Sequence, residues 1–263
     1  MKITALTSFC VDIFPEQGKT YIGGNSLNFA THCQLSGVSE VQVIGGTGRD
    51  QGGQLIRKHL HDLSIDCARL YELDEPTASN QIFIDAQGDR YFKADSWNGG
   101  AFDAFRLSEE DWASISDSSL IAMPAGDPNL PQLVQKRTEQ QVIVVDFLDY
   151  LGPDFMEQYL PGIDIAMISG KLEDVDRYQQ LSAKYDKTII ATFGADGSVA
   201  FDGARRYDQE AIPVTEVVDT TGCGDAFLAS YCMEWMHGKD IQKSLYAGAV
   251  AASKVLTYVG GVP

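Results

Sequence analysis

The sequence predicts an α/β protein, a doubly wound and mainly parallel sheet with a small β-sheet lid. Three observations carry that prediction. Short apolar runs alternate with amphipathic stretches along nearly the whole chain, the order in which strand–helix units feed right-handed crossovers. Three of the runs, as at Val142–Phe147, are rich in Val and Ile with little alternation, as expected where both faces of a parallel strand are covered. Two regions near the N-terminal half break the rhythm with turn-rich, hairpin-like segments.

In chain order, Lys2–Thr7 reads as a strand, and Thr20–Gly23 as a short extended piece after the turn Pro15-Glu16-Gln17-Gly18. Ser26–Ser36 follows as a helix, then Glu40–Ile44 as strand and Gln51–Asp62 as helix. Ala78–Ile84 and Asp89–Ala94 flank Asp85-Ala86-Gln87-Gly88, a hairpin pattern in which Gly88 supplies positive φ. Together these pieces predict a lid formed by about residues 12–23 and 78–98 within one domain, residues 1–263. Beyond it, strands at Leu120–Met123, Val142–Phe147, Asp164–Ile168 and Thr188–Phe193 alternate with helices at Ser108–Ile115, Leu130–Arg137 and Leu172–Tyr185. Two helices close the pattern, Gly224–His237 and Ile241–Leu256. The latter repeats Leu245, Ala249, Ala252 and Leu256 at helical spacing, with Asp240 placed to cap its start.

Composition excludes several classes of function. The 263 residues carry 20 Lys plus Arg against 37 Asp plus Glu, a formal charge of −17, and phosphate backbones reward the opposite balance, so nucleic acid is not the expected partner. No apolar run approaches the ~18 residues of a membrane span, and Met1-Lys2-Ile3-Thr4-Ala5 starts a strand rather than a signal peptide. A soluble, cytoplasmic protein with no membrane partner is the expectation. Five scattered cysteines without a Cys-x-x-Cys pair read as free thiols rather than a disulfide framework or a zinc ribbon. His59 and His61, two apart in a helical stretch, point to different faces and make a poor metal pair.

Two glycine-bearing segments imitate nucleotide motifs and are set aside. Glu16-Gln17-Gly18-Lys19-Thr20 ends like a P-loop, but Ile13 stands where the first glycine belongs. In Gly46-Thr47-Gly48-Arg49-Asp50-Gln51-Gly52 the third glycine comes one residue late for a dinucleotide fingerprint. The informative segment is Asp219-Thr220-Thr221-Gly222-Cys223-Gly224-Asp225-Ala226-Phe227, preceded by the β-like pair Val217-Val218. Small residues opening a helix leave backbone N–H groups and the helix dipole for an anion. Glycines at 222 and 224 let a phosphate approach the backbone closely. Asp225 would point at the same place and could take the proton of a hydroxyl that attacks a phosphoryl group. Read alone, it is equally a first-turn helix residue, and the glycines a plain turn.

Asp-Thr-Thr-Gly-x-Gly-Asp-x-Phe at 219–227 resembles the C-terminal signature of the ribokinase-like (PfkB family) carbohydrate kinases. The resemblance extends to Gly23-Gly24-Asn25-Ser26-Leu27-Asn28-Phe29-Ala30, similar to the family's substrate motif, and to Thr192-Phe193-Gly194-Ala195-Asp196-Gly197-Ser198, similar to its nucleotide-bordering turn. It therefore covers essentially the whole chain. It implies an ATP-dependent sugar kinase with Mg²⁺, in which Asp225 is the base and the amides of Gly222, Cys223 and Gly224 form the anion hole. Asp12, placed at the end of the first strand, would bind sugar hydroxyls with Gly24, Asn28 and Asp225. Thr192, Gly194, Gly197, Thr221, Gly222 and Gly224 would lie along ATP. Asp219 matches a position that helps hold a monovalent cation such as K⁺. The lid falls where relatives form a dimer contact.

The chain departs from the family at Ser169-Gly170-Lys171-Leu172-Glu173, where most relatives have Asn-x-x-Glu. Ser stands for Asn, Leu for Glu, and Glu173, one residue late, is the substitute candidate for organising Mg²⁺; Lys171 reads as solvated. Cys223 replaces a small residue of the anion hole. At a helix N-terminus its thiol should be reactive, so that alkylation blocks activity. Cys10-Val11-Asp12-Ile13-Phe14-Pro15, the short chain and Ser169 look most like the fructoselysine 6-kinases. Arg90 and Lys93 on the lid keep a phosphosugar acceptor open, whereas Asn25 stands where phosphofructokinase-like members tend to have Lys. A plain sugar, a nucleoside, or a non-catalytic nucleotide or sugar sensor are the remaining alternatives.

Overall fold

A computed structural model describes residues 1–84 and 90–263. The chain runs β1 (Lys2–Leu6), β2 (Cys10–Phe14), β3 (Lys19–Gly23), α1 (Asn25–Leu35), β4 (Glu40–Gly48), α2 (Gln51–Asp62), β5 (Asp66–Leu73), β6 (Ala78–Ile84) and β7 (Arg90–Phe92). It continues through α3 (Gly100–Ala104), α4 (Glu109–Ser114), β8 (Leu120–Pro124), α5 (Leu130–Lys136), β9 (Val142–Asp146), α6 (Pro153–Glu157), β10 (Ile165–Ser169) and α7 (Val175–Tyr185). The last elements are β11 (Thr188–Thr192), β12 (Ser198–Asp202), β13 (Arg205–Gln209), α8 (Cys223–Gly238) and α9 (Ile241–Val255).

The main sheet has the order β13-β12-β11-β10-β9-β8-β1-β4-β5. Every pairing from β11 to β5 is parallel, and β12 and β13 extend the edge as an antiparallel hairpin. Strands buried on both faces feed two cores. Ile3, Ala5 and Val144 point into one, with Leu27 of α1, Ile56 of α2, Phe227 of α8 and Leu245 of α9. Leu6, Ile143 and Val145 point into the other, with Trp112 of α4, Leu133 of α5 and Leu181 of α7. This is the doubly wound arrangement expected, and the order reverses beside β1, where α/β folds open a crevice at the carboxyl ends of their strands. Among the described residues no helix is long and apolar enough to cross a membrane.

A separate four-stranded sheet, β3-β2-β6-β7, is built from segments within the stretches expected to form a lid. β2 pairs antiparallel with β3 and parallel with β6, in the register Asp12 opposite Tyr21 and Asn80. Asp12 is thus in the middle of a strand of the small sheet and not at the end of the first strand, which stops at Leu6. The positive φ of Thr7 (65°) turns the chain out of the main sheet directly after β1. The hairpin turn read at 85–88 lies outside the described residues. Val217 and Val218 are exposed and belong to no strand; the Val218 N–H donates to the Leu256 carbonyl at the end of α9 (2.8 Å) and finds no strand partner.

Candidate active site

Asp225 sits in the first turn of α8, buried with 7% exposure. The helix opens at Gly222, in the left-handed region (φ 73°), and no side chain caps it; of its first amides, the Cys223 N–H donates to the Thr220 carbonyl at 3.4 Å. A side chain at 222 would drive a Cβ to within 2.4 Å of the Gly261 backbone. The C-terminal segment is threaded that closely between α8 and α1.

Helix α1 brings two amides to Asp225. Asn28 Nδ2 donates to Oδ2 at 2.8 Å and Asn25 Nδ2 to Oδ1 at 3.0 Å. Their placement rests on Gly24, whose φ of 105° and whose closeness to the Ser8 carbonyl, 2.2 Å from where a Cβ would lie, admit no other residue. The Asn25 N–H donates to Ser8 Oγ (3.2 Å), fastening the start of α1 to the exit from β1. Asn25 Nδ2 also donates to Asp146 Oδ2 at 3.2 Å, at the carboxyl end of β9. Burial pushes the Asp225 carboxyl up to about 7; the negative charges of Asp146 and, more weakly, Asp12 add to the rise, against the bonds from Asn28 and Asn25. Asp146 is pushed up to about 6, again mainly by burial. A buried carboxylate whose proton affinity lies near neutrality is equipped for general base work.

On the other side of the α8 N-terminus opens a cavity of about 950 Å³. Thr192, Gly194, Gly197 and Ser198 line one wall, Cys223 and Gly224 the floor, and Ala249, Ala252 and Leu256 the apolar back. The helical spacing read in α9 therefore serves partly the core, through Leu245, and partly this cavity. Gly224, which lines this cavity, is the chain neighbour of Asp225.

Residues 11–263 match the model of the pfkB family carbohydrate kinases. The chain belongs to that family. It is 29% identical over 254 residues to the fructoselysine 6-kinase of Escherichia coli (strain K12), covering 95% of this chain and 95% of that protein. It is 26% identical to a fructosamine kinase of Bacillus subtilis (strain 168), over 99% of this chain and 92% of the relative. The fold matches Arabidopsis thaliana ribokinase, solved with ribose and ATP, at a TM-score of 0.81 with 22% identity, over 100% of this chain and 94% of that one.

In the carbohydrate kinase, the sequence-predicted residues fall into two groups. Asp12, Gly24, Asn28 and Asp225 gather in one place: a Cβ on Gly23 would lie 2.5 Å from Asp12 Oδ2, and burial pushes up the Cys10 thiol, with Asp12 and Asp225 both adding to the rise. Thr192, Gly194, Gly197, Cys223 and Gly224 gather around the cavity. Thr221 turns to Asp219, its N–H and Oγ1 donating to Asp219 Oδ1 at 2.6 and 2.8 Å, while Asp219 Oδ2 accepts from the Gly260 N–H at 2.8 Å. Asp219 thereby binds the loop before α8 to the C-terminal segment. Glu173 and Lys171 are exposed, and Leu172 rather than either of them lines the cavity, together with Asp149. Among the described residues no cluster of three or more His, Cys, Asp or Glu could hold a metal.

Three residues of the site were missed in the sequence. In the sequence Asn25 reads as part of the Gly23–Ala30 motif and as a position where phosphofructokinase-like members tend to have Lys, Asp146 lies within the buried strand read at Val142–Phe147, and Cys10 is a scattered thiol that opens the segment 10–15. The glycine motif beside Asn25 was a usable signal; nothing local marks Asp146.

Proposed function

We propose that this kinase transfers the γ-phosphoryl group of ATP to a hydroxymethyl group of a sugar derivative, with Asp225 as the general base and fructoselysine as the first acceptor to try. The observation that carries this reading is the state of Asn28. Its Nδ2 donates to Asp225, while its Oδ1 is buried without a hydrogen-bond partner. An unpaired buried acceptor costs about 1–3 kcal/mol, and a sugar hydroxyl bound beside Asp225 would remove that cost. Ser198 Oγ, on the wall of the large cavity, is likewise buried and unpaired, which supports a polar occupant there.

In this reading the acceptor O–H gives its proton to the Asp225 carboxylate as its oxygen bonds to the γ-phosphorus. The bond to the β-phosphate oxygen breaks and ADP leaves. The Gly222–Gly224 amides hold the transferring group, and closure of the lid keeps water from competing. Mg²⁺, which in such sites is carried mostly by phosphate oxygens and water, would neutralise phosphate charge. The sparse carboxylates near the cavity fit that manner of binding, with Asp149 and exposed Glu173 reaching it through water. A K⁺ ion beside Asp219 would be held mainly by backbone carbonyls, since both carboxylate oxygens already accept N–H bonds.

Asp12, Asp146 and Asp225 make the acceptor end acidic, which favours an acceptor bearing an amine over one bearing a second phosphate. The relatives named fructoselysine 6-kinase and fructosamine kinase support the same class. The test is ADP release from Mg²⁺-ATP against fructoselysine and a panel of free sugars, nucleosides and sugar phosphates. Turnover confined to amine-bearing acceptors supports the proposal. Preference for a sugar phosphate, or nucleotide binding without transfer to any acceptor, overturns it.

A further inference from the structure

Asn25 touches two buried carboxylates at once. A side-chain amide nitrogen carries two N–H donors, and here one goes to Asp225 Oδ1 at 3.0 Å and the other to Asp146 Oδ2 at 3.2 Å. Asp146 is itself fixed, because its Oδ1 accepts the Leu148 N–H at 2.9 Å. Three separate elements, the start of α1, the end of β9 and the first turn of α8, therefore meet at one nitrogen. Two carboxylates so close repel, and such an arrangement is held only if something else gains by it.

We propose that Asn25 and Asp146 are a positioning pair for Asp225, Asn25 aiming its Oδ1 and Asp146 anchoring Asn25 while placing a second negative charge beside the base. The proposal rests on the reading of Asp225 as the base. Burial is the main reason that the Asp225 carboxylate is more basic than an ordinary aspartate, and the pair acts on it in opposite senses: the Asp146 charge disfavours the ionised form and the Asn25 bond favours it. The other groups facing Asp225 are Asp12 and Cys10 from β2 and the neutral Asn28 from α1, with Asp149 beyond Asp146. Gly261 brings backbone only.

The experiment titrates the Asp225 carboxyl directly. Protein labelled with ¹³C at aspartate carboxyls is followed by NMR from acid to alkaline pH, the Asp225 resonance being the one absent in Asp225→Asn. Asp146→Asn should move the Asp225 midpoint down, and Asn25→Ala should move it up, each by on the order of one pH unit. The acid limb of kcat should move with the midpoint while KM for ATP stays within about twofold. A purely structural role predicts no shifts of opposite sign. Midpoints that coincide in wild type and in either folded variant overturn the pair, and if one variant does not fold the other still decides. Survival of turnover in Asp225→Asn would instead overturn the base reading, with the NMR shifts judged separately.

Discussion

Asn28 Nδ2 lies 2.8 Å from Asp225 Oδ2, and a Cβ on Gly261 would lie 2.4 Å from that same nitrogen. The orientation of the Asp225 carboxyl is thus set from both ends of the chain, by α1 and by the C-terminal segment. His32 completes the fastening, its Nε2 lying 3.0 Å from the Gly261 carbonyl oxygen.

Gly261→Ala should damage catalysis more than folding. The added methyl meets the tip of a side chain rather than backbone, so Asn28 is displaced and the chain still packs. Turnover should fall by roughly 10- to 100-fold, the usual result of misplacing a reacting group by about an ångström, with only a small loss in melting temperature. Steady-state kinetics beside a thermal melt check this; unchanged turnover would refute the link.

Asp225→Asn removes the proton acceptor and keeps the shape. Loss of general base catalysis alone is worth roughly 10²–10⁴ in rate. Because a buried charge is removed, the melting temperature at pH 8 should hold or rise. A variant that loses activity by unfolding would contradict the assignment, and circular dichroism separates the two.

Cys223 lines the cavity with its Sγ 3.7 Å from the Ala252 carbonyl oxygen, whereas Cys10, Cys33 and Cys232 are buried with thiols pushed up by burial. Iodoacetamide should label Cys223 and half-buried Cys67, and activity should be lost in step with Cys223. ATP should slow that loss, and Cys223→Ser should be insensitive. Mass mapping of the labelled peptides reads the outcome; inactivation unaffected by ATP would sink the idea.

Stability should decline on the alkaline side. Asp225 and Asp127 are pushed up to about 7 and Asp146 to about 6, in each case chiefly by burial. Unfolded carboxylates titrate near ~4, so across the interval between these values the folded chain binds more protons and stability falls as pH rises. Asp50 and Asp111 are held low by the hydrogen bonds they accept, which outweigh the cost of burial, and their contribution is lost only in acid. Calorimetry from about pH 5 to pH 8 should show a falling melting temperature; a rise over that range would be the contrary result.

The parallel strands were legible because burial on both faces writes a continuous Val/Ile run, as in β9 and β11. β5 escaped because, at the sheet edge, its residues alternate between exposed and half-buried and read as amphipathic coil. β2 escaped because five residues ending before Pro15 carry too little periodicity, and with it went the true position of Asp12 in the small sheet. In the opposite direction, Val217-Val218 looks like a strand by side-chain type, yet the Val218 N–H donates to the Leu256 carbonyl at the end of α9.

What the sequence determined by itself is chemistry that depends on neighbours in the chain. A left-handed Gly222 opening a helix with Asp225 in its first turn needs only adjacent residues, and so does Gly24 before Asn25 and Asn28. What the tertiary structure alone decided is chemistry between distant residues. Asp146 and Asp225 stand 79 positions apart and gain their proton affinity chiefly from burial together, Asp225 also from the charge of Asp146, against the bonds they accept from the Asn25 amide they share. Local sequence records propensity and turn geometry, but repulsion and desolvation exist only once the fold has excluded water from between the groups.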